Sequence, residues 1–321
     1  MSFTSLIQWS ERRQITLYLG AIGVGGVAGF LAPETAVLVE TTITPLLAVL
    51  LFFTFLGIPL LELRASLRDA RFLSAVLVLN FVMVPMLVWI ISFFVRGNTA
   101  LLVGVVLVLV TPCVDYVIVF AGLARGNASK LLAVTPLLML LQMALLPLYL
   151  RLLAGSDLGV NLNPAPFIEA FLLLIVLPLI VAGAVQWATR HNRSAQRLVK
   201  FSGIGMIPVM MLTLAAVIWA HIYQVSHQLG ELLHVVPIFL GFATAATLLG
   251  WGTGTLWRLS VPDRRALLFS GVIRNSLVVL PLALVFSETL ALVPLVVVFQ
   301  TMIEFVVMVI LVRLVPRMVR S

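Results

Sequence analysis

Charged residues are scarce in this sequence. They make up 10% of its 321 residues, whereas hydrophobic residues make up 62%. A soluble domain of this size needs more polar surface than that to cover itself. The composition therefore excludes a soluble globular domain and indicates an integral membrane protein.

Cysteine is also nearly absent, since Cys113 is the only one in the chain. A single cysteine excludes an internal disulfide and any multi-cysteine metal site. No cluster of histidine, aspartate and serine at membrane depth offers a hydrolytic site. We therefore expect no metal, no cofactor and no enzymatic activity.

Long apolar runs are abundant by contrast, and a spanning helix needs about 20 mostly apolar residues. About ten runs meet that length. The predicted spans are 15–31, 43–61, 72–95, 100–124, 131–154, 166–188, 203–222, 232–257, 264–287 and 290–313.

The positions of the positive charges predict how these spans are oriented in the membrane. With a cytoplasmic N-terminus, 17 of the 20 Lys and Arg residues fall in inside segments, and only Arg96 and Arg151 fall outside. Such a bias is typical of cytoplasmic loops. We expect a plasma (inner) membrane protein with both termini cytoplasmic. The net charge of +8 then reflects loops that face anionic lipid, and no nucleic-acid partner is expected.

A polar linker at 156–166 divides the chain into 1–155 and 167–321, with five predicted spans in each part. An odd number of spans per half gives the halves opposite orientations in the membrane. Inverted repeats of this kind are an architecture of secondary transporters. The predicted fold is an all-α polytopic membrane protein of about ten helices in two inverted five-helix repeats.

The fourth helix of each repeat carries residues that a membrane helix disfavours. In helix four these are Pro112, Cys113 and Asp115, and in helix nine the corresponding residue is Arg274. A charge at this depth costs roughly 2.5–3.5 kcal/mol even on lenient scales. Irregular backbone is tolerated there only inside protein or beside a water-filled cavity. We expect helices four and nine to be interrupted and to cross at the substrate site.

Asp115 and Arg274 are predicted to face each other at this crossing, because each alone is expensive in lipid. The pair is either a structural ion pair or part of the coupling machinery, in which protonation of Asp115 drives a conformational step. Uncharged groups are expected around the same point and at depth in other helices. They are Thr111, Ser270, Asn275 and Ser276 at the crossing, Asn80 in helix three, and Gln142 and Gln300, with Glu304, as secondary candidates.

Cys113 has two interpretations. A buried lone cysteine is most often a small apolar filler. Its place beside the proline break also makes it a candidate ligand for a soft, thiophilic solute, and trivalent arsenic is the obvious one.

These motifs resemble the bile acid:sodium symporter superfamily over nearly the whole chain. The similar segments are Thr111-Pro-Cys-Val-Asp-Tyr116 with Leu123-Ala-Arg-Gly-Asn127, Asn80-Phe-Val-Met-Val-Pro85 and Arg274-Asn-Ser276. The resemblance implies a panel domain of helices one, two, six and seven and a core domain of the other six. Within the superfamily, the Pro112-Cys113 pair resembles the arsenite-efflux permeases, whose fourth helix carries the thiol taken to bind arsenite.

The chain departs from the sodium-coupled members at two positions of helix nine. Ser270 stands where they place a glutamate, and Arg274 replaces their glutamine. A fixed cation at the place of the sodium ligands argues against the usual sodium sites. The arsenite permeases also carry a glutamate in helix nine, which 264–287 lacks.

The predicted function is arsenite efflux by a secondary transporter, coupled to protons rather than sodium. Cys113 would contact the metalloid, Asp115 would titrate, and Arg274 and Asn275 would shape the site. The alternative is transport of an organic anion, by sodium coupling or exchange, with Arg274 attracting a carboxylate. In either case the partners are a small inorganic or organic solute, a coupling ion and membrane lipid.

Overall fold

A computed structural model describes residues 13–57, 69–114, 116–155, 172–189, 192–286 and 290–320 of the protein. The predicted linker at 156–166 lies outside these ranges. Among the described residues, every regular element is helical except one antiparallel bridge between two single residues. The predicted all-helical class is confirmed for this part of the chain.

The described helices of the first half are interrupted at several points. A 3₁₀ turn at Pro33–Thr35 separates the first two helices, and a π-helical segment at Leu79–Met83 separates the third and fourth. The bounds are α1 Gln14–Leu31, α2 Ala36–Gly57, α3 Ala70–Val78, α4 Val84–Ser92, α5 Thr99–Leu109, α6 Tyr116–Leu123 and α7 Ala128–Ala154.

The second half opens with a π-helical segment at Leu172–Val176, and a 3₁₀ turn lies at Leu233–Val235. The bounds of its helices are α8 Leu177–Ala188, α9 Arg193–His227, α10 Leu229–Leu232, α11 Val236–Leu256, α12 Val261–Val272, α13 Ser276–Val285 and α14 Leu292–Met318.

Six helical stretches of the described chain are long and apolar enough to cross a membrane. They are Pro33–Gly57, Ala70–Ser92, Leu137–Ala154, Gly205–His227, Leu229–Leu256 and Leu292–Met318. Shorter apolar helices accompany them, among them α5. The protein is therefore an integral membrane protein, while the number of ten spans and the inverted repeats stay predictions.

Two helices begin seven or more residues before their predicted spans. Helix α2 begins at Ala36 instead of 43, and the hydroxyls of Thr41 and Thr42 donate to the backbone carbonyls of Leu38 and Val39, so these polar side chains are satisfied within the helix. Helix α9 begins at Arg193, where the Asn192 side chain accepts a hydrogen bond from Ser194 N–H. Hydropathy detects only the apolar part of a helix, and the first turns of these two helices contain polar residues that precede the apolar part.

The described chain forms two compact units that do not follow the order of the sequence. The first lies within Met1–Leu61 and Pro164–Leu229 and contains α1, α2, α8 and α9. Gly25 and Gly29 of α1 lie directly against α9: a Cβ on Gly29 would stand 2.5 Å from the Trp219 carbonyl oxygen. Small residues at this spacing let two apolar helices approach closely.

The second unit lies within Glu62–Asn163 and Gly230–Ser321 and contains the helices around the two predicted breaks. Its centre is α5, in which every residue from Ala100 to Leu109 is buried. A helix that is apolar on all sides in this way packs inside other helices. Gly104 permits the close approach of α14, since a Cβ there would lie 2.7 Å from Val296 Cβ.

Candidate functional site

The predicted interruption of helix four is present between α5 and α6. Helix α5 ends at Leu109, and Thr111 to Val114 are not helical. Pro112 accounts for the break, because it has no N–H to donate and its ring clashes with the preceding turn. The Thr111 hydroxyl donates to the carbonyls of Leu107 (3.2 Å) and Val108 (2.9 Å) and so binds the end of α5.

The predicted interruption of helix nine is present between α12 and α13. Helix α12 ends at Val272, and Ile273 is extended, with φ −79° and ψ 130°. Asn275 then caps the next helix, because its side-chain oxygen accepts from Val278 N–H at 3.4 Å. Asparagine is among the best residues for this N-cap position, and α13 begins at Ser276.

The two breaks pair with each other in antiparallel fashion. Cys113 N–H donates to the Ile273 carbonyl at 3.2 Å, and Asn275 N–H donates to the Thr111 carbonyl at 2.9 Å. Pro112 and Arg274 stand opposite each other in this bridge. The unwound backbone of each helix thus satisfies that of the other, as buried peptide groups require.

Arg274 is completely buried beside this bridge, with 0% of its surface exposed. Its Nη2 donates to the carbonyls of Ser270 (2.6 Å) and Gly271 (2.5 Å), and its Nη1 donates to that of Leu109 (3.4 Å). These carbonyls belong to the C-terminal ends of α12 and α5. A cation is favourable there, because a helix C-terminus carries partial negative charge.

Asn80 and Ser270 belong to the same network. Asn80 Oδ1 accepts from Arg274 Nη2 at 3.2 Å, and Asn80 Nδ2 donates to Ser270 Oγ at 2.9 Å and to the Val76 carbonyl at 3.1 Å. Asn80 lies in the π-helical segment that interrupts helix three. The structure therefore brings two of the predicted coupling residues to the guanidinium.

Two of the secondary candidates also reach the crossing. The Glu304 carboxylate, on α14, accepts the backbone N–H of Arg274 at 3.0 Å and a short hydrogen bond from Gln300 Nε2. Both side chains are buried. They line a cavity of about 10 Å³ together with Leu109 and Val272, which is room for about one water molecule.

Several polar atoms at the crossing have no hydrogen-bond partner among the described residues. These are Asn275 Nδ2, Ser276 Oγ and Gln300 Oε1, all buried. A buried polar atom in a native protein usually has a partner, and one without calls for water, an ion or a ligand. Asn275 and Ser276 both stand at the first turn of α13, where backbone N–H groups point outward.

Cys113 lies in the middle of this arrangement and is fully buried. Its backbone N–H forms the bridge to Ile273, so the pairing of the two broken helices fixes the main chain that carries the thiol. Thr111, Cys113, Arg274, Asn275 and Ser276 are thus neighbours in space. The roles assigned to them stay predictions.

Two further predicted residues keep the roles given to them only as predictions. Asp115 lies outside the described residues, so its pairing with Arg274 stays a prediction. Gln142 is buried in α7, and its side-chain amide has no hydrogen bond to any described residue. Its role also stays a prediction.

A charged cluster at one end of the second unit was not predicted. Lys130 Nζ lies 2.5 Å from Asp69 Oδ2 and 2.9 Å from Asp263 Oδ2, and Asn127 Nδ2 donates to Asp263 Oδ1 at 2.8 Å. The hydrogen bond from Lys130 holds the pKa of Asp69 below its ordinary value, and the two carboxylates raise the pKa of Lys130.

A signal for this cluster is present in the sequence. Asp69 caps α3 by accepting from Phe72 N–H at 3.0 Å, and Asp263 follows three residues after Ser260, the N-cap of α12. Both positions are those that acidic residues favour at a helix start. Their convergence on Lys130 depends on the packing of three helices and has no local signature.

The fold and the crossing define a class of protein: a membrane protein built around two interrupted helices, as in solute transporters. The model of the Sodium Bile acid symporter family matches residues 44–228, which is more than half of the chain. The chain belongs to this family. It is therefore a membrane solute transporter. This confirms the class of protein that the sequence predicted, while the solute and the coupling ion stay predictions.

No curated protein matches the chain. The family match includes the break at Pro112 and ends at residue 228, before α12 and α13. The half of the crossing that contains Arg274 thus lies beyond the matched residues. The substrate has to be inferred from the chemistry of the site.

Proposed function

We propose that this protein is a secondary transporter that exports arsenite, with the crossing of the two broken helices as its substrate site. The observation that carries the proposal is the position of Cys113. The only thiol of the chain belongs to the residue whose backbone joins one broken helix to the other. A soft sulfur ligand suits trivalent arsenic better than any oxygen or nitrogen ligand of the chain.

The neighbouring groups match the rest of such a substrate. Arsenite near neutral pH is a small uncharged hydroxide, so a compact polar site is sufficient. The thiol replaces one hydroxyl group of arsenite, forming an As–S bond and releasing one water, and hydrolysis of that bond releases the solute. The other hydroxyls would bind Asn275 Nδ2 and Ser276 Oγ, which have no partner among the described residues.

We further propose that transport is coupled to protons, with Asp115 as the titrating group. The guanidinium of Arg274, at the same crossing, would respond to the charge of that carboxylate. Glu304 is a second carboxylate there, since it accepts the backbone N–H of Arg274. The bias of 17 inside cations against two outside supports a topology with both termini in the cytoplasm, and we propose the plasma (inner) membrane as its location.

The direct test is arsenite resistance in a sensitive bacterial host that lacks its own arsenite pumps. Expression of the wild type should raise the tolerated arsenite concentration, and Cys113→Ser should remove that gain. Western blotting of membranes and thermal denaturation should show that the variant is inserted and folded. Equal survival with and without the wild-type protein would refute arsenite export.

A second candidate function is transport of an organic anion. It is favoured by the unpartnered donors of Asn275 and Ser276 at the start of α13, because a helix N-terminus and its donors attract a carboxylate. Accumulation of a labelled organic anion that is lost in Ser276→Ala but retained in Cys113→Ser would favour this function over arsenite export.

A further inference from the structure

Oxygen atoms from three helical segments surround the guanidinium of Arg274. They are the carbonyl oxygens of Leu109, Ser270 and Gly271 and the side-chain oxygen of Asn80, at 2.5–3.4 Å from the guanidinium nitrogens. Carbonyl and amide oxygens in this number are the ligands by which proteins bind small hard cations. The guanidinium thus occupies a site with the chemistry of a cation site.

The electrostatics of this position point the same way. The C-terminal ends of α5 and α12 converge on it, and each contributes the negative end of a helix dipole. In transporters with interrupted helices, such ends and the unwound carbonyls beside them are where a coupling cation is held. In this chain the positive charge at that point is part of a side chain.

The oxygen cage is held by contacts that do not involve Arg274. Asn80 Nδ2 is bound to Ser270 Oγ and to the Val76 carbonyl, which fixes Asn80 Oδ1 in its direction. The hydroxyl of Thr111 binds the last turn of α5. Because these bonds remain when the Arg274 side chain is removed, the oxygens keep their positions around the vacated space.

We propose that the guanidinium of Arg274 is a tethered cation that fills a built-in cation site, so that this transporter needs no bound sodium, and that its removal exposes a site for a small monovalent cation. A sodium ion taken from solution would bind and leave in each transport cycle, and its gradient would drive transport. The guanidinium of Arg274 is attached to the chain and stays in the site, so a sodium gradient contributes nothing to the driving force.

The proposal deepens the proposed function, because it rests on the crossing being the transport site. Its test does not require the substrate, so a failure of arsenite transport and a failure of this proposal are distinguishable. The measurement is the Tm of purified full-length protein in detergent, in sodium chloride, in guanidinium chloride at low millimolar concentration, and in choline chloride at matched ionic strength.

Arg274→Ala should lower the Tm in choline and regain several degrees in guanidinium or sodium, with the gain rising with the logarithm of cation concentration, as for a ligand that binds the native state. Wild type should have the same Tm in sodium and in choline. If neither cation stabilises Arg274→Ala relative to choline, or if sodium stabilises the wild type, the proposal is wrong.

Arg265 offers a matched control. Its guanidinium also donates to backbone carbonyls, those of Val319 (2.9 Å) and Pro316 (3.4 Å), but at a partly exposed position where water replaces it. Arg265→Ala should therefore show no gain specific to guanidinium or sodium. An equal gain in Arg265→Ala would mean that the cations act on the protein generally, and would overturn the proposal.

A second variant keeps the test decisive if Arg274→Ala does not fold. Arg274→Lys retains a positive charge on a shorter donor, so it should fold and its Tm should not respond to sodium. A response of Arg274→Lys to sodium would show that a tethered charge does not satisfy the site. Transport by the wild type in liposomes should likewise be equal in sodium and choline, and a severalfold loss in choline would contradict the proposal.

Discussion

Arg274 illustrates how a buried charge is accommodated at the scale of one residue. An isolated guanidinium transferred out of water carries a penalty of several kcal/mol. Here the guanidinium donates to carbonyls at two helix ends and to Asn80. Its Cζ atom lies 5.5 Å from the centre of the Phe242 ring. Hydrogen bonds, helix dipoles and the aromatic face together offset the lost hydration.

The identity of the coupling carboxylate is testable with a matched pair of variants. Glu304→Gln retains an oxygen that accepts the backbone N–H of Arg274 but removes a titratable group. Asp115→Asn likewise removes a titratable group, at the residue proposed to titrate. We expect the pH-gradient dependence of transport to persist in Glu304→Gln and to disappear in Asp115→Asn. Uptake into liposomes with and without an imposed pH gradient measures both.

The reverse pattern, with dependence lost only in Glu304→Gln, would move the coupling role to α14. Retention of the pH-gradient dependence in both single variants would remove proton coupling through either carboxylate. Thermal denaturation of each variant provides the control, because a misfolded protein loses transport at every pH.

At the scale of elements, close packing of α1 against α9 within the first unit depends on glycine. A Cβ on Gly25 would overlap the Ala215 carbonyl group and stand 2.9 Å from its Cα, whereas one on Gly23 would meet nothing within 4 Å. Overpacking of this kind costs about 1–3 kcal/mol. Gly25→Ala should therefore lower the Tm by several degrees.

Gly23→Ala is the control in the same helix. It should leave the Tm unchanged or raise it slightly, because alanine has the higher helix propensity by about 1 kcal/mol. Equal Tm values for the two variants would mean that α1 and α9 are not in backbone contact.

The cluster of Lys130, Asp69 and Asp263 predicts how the stability of the protein depends on pH. The lowered pKa of Asp69 means that its contribution to stability is complete above its ordinary pKa and is lost as pH falls through the lower folded value. The raised pKa of Lys130 means that its contribution is complete below its ordinary pKa and is lost as pH rises through the higher folded value. Between about pH 5 and 9 both contributions are therefore complete.

Lys130→Met should consequently lower the Tm by a constant amount over that range, and the difference from wild type should shrink in stronger acid as Asp69 is protonated. The part of the effect that comes from Asp69 is expected to be modest, because Lys130 and Asp69 are both more than one third exposed. Asp263, the second partner of Lys130, is 8% exposed and keeps the hydrogen bond from Asn127. Arg151→Met, an exposed position at the other end of α7, should show no such pH profile. A Tm difference that varies steeply between about pH 5 and 9 would contradict the ion pair.

These elements also show what the sequence can and cannot predict. The breaks at Pro112 and Arg274 were predictable, since proline and a charge are locally incompatible with a continuous apolar helix. The antiparallel pairing of the breaks and the carbonyl cage around Arg274 were not, because they depend on how distant segments cross. The same holds for Glu304, whose acceptor role toward a backbone N–H thirty residues away leaves no periodic signal.

At the scale of the whole molecule, every described residue of the crossing belongs to the second unit, Glu62–Asn163 with Gly230–Ser321. The family match extends over 44–228 and identifies a membrane solute transporter. The proposed substrate site lies at two breaks of three to six residues each, between α5 and α6 and between α12 and α13, with Ser276 in the first turn of α13. Under the proposed function, substrate choice is a property of this crossing.

Counterflow of labelled arsenite in liposomes that contain only the purified protein tests the central claim most directly. Wild-type vesicles preloaded with unlabelled arsenite should accumulate the label transiently, at the same rate in sodium and in choline, and Cys113→Ser vesicles should not. Accumulation by Cys113→Ser equal to that of the wild type, or no accumulation by the wild type, would contradict arsenite transport through the crossing.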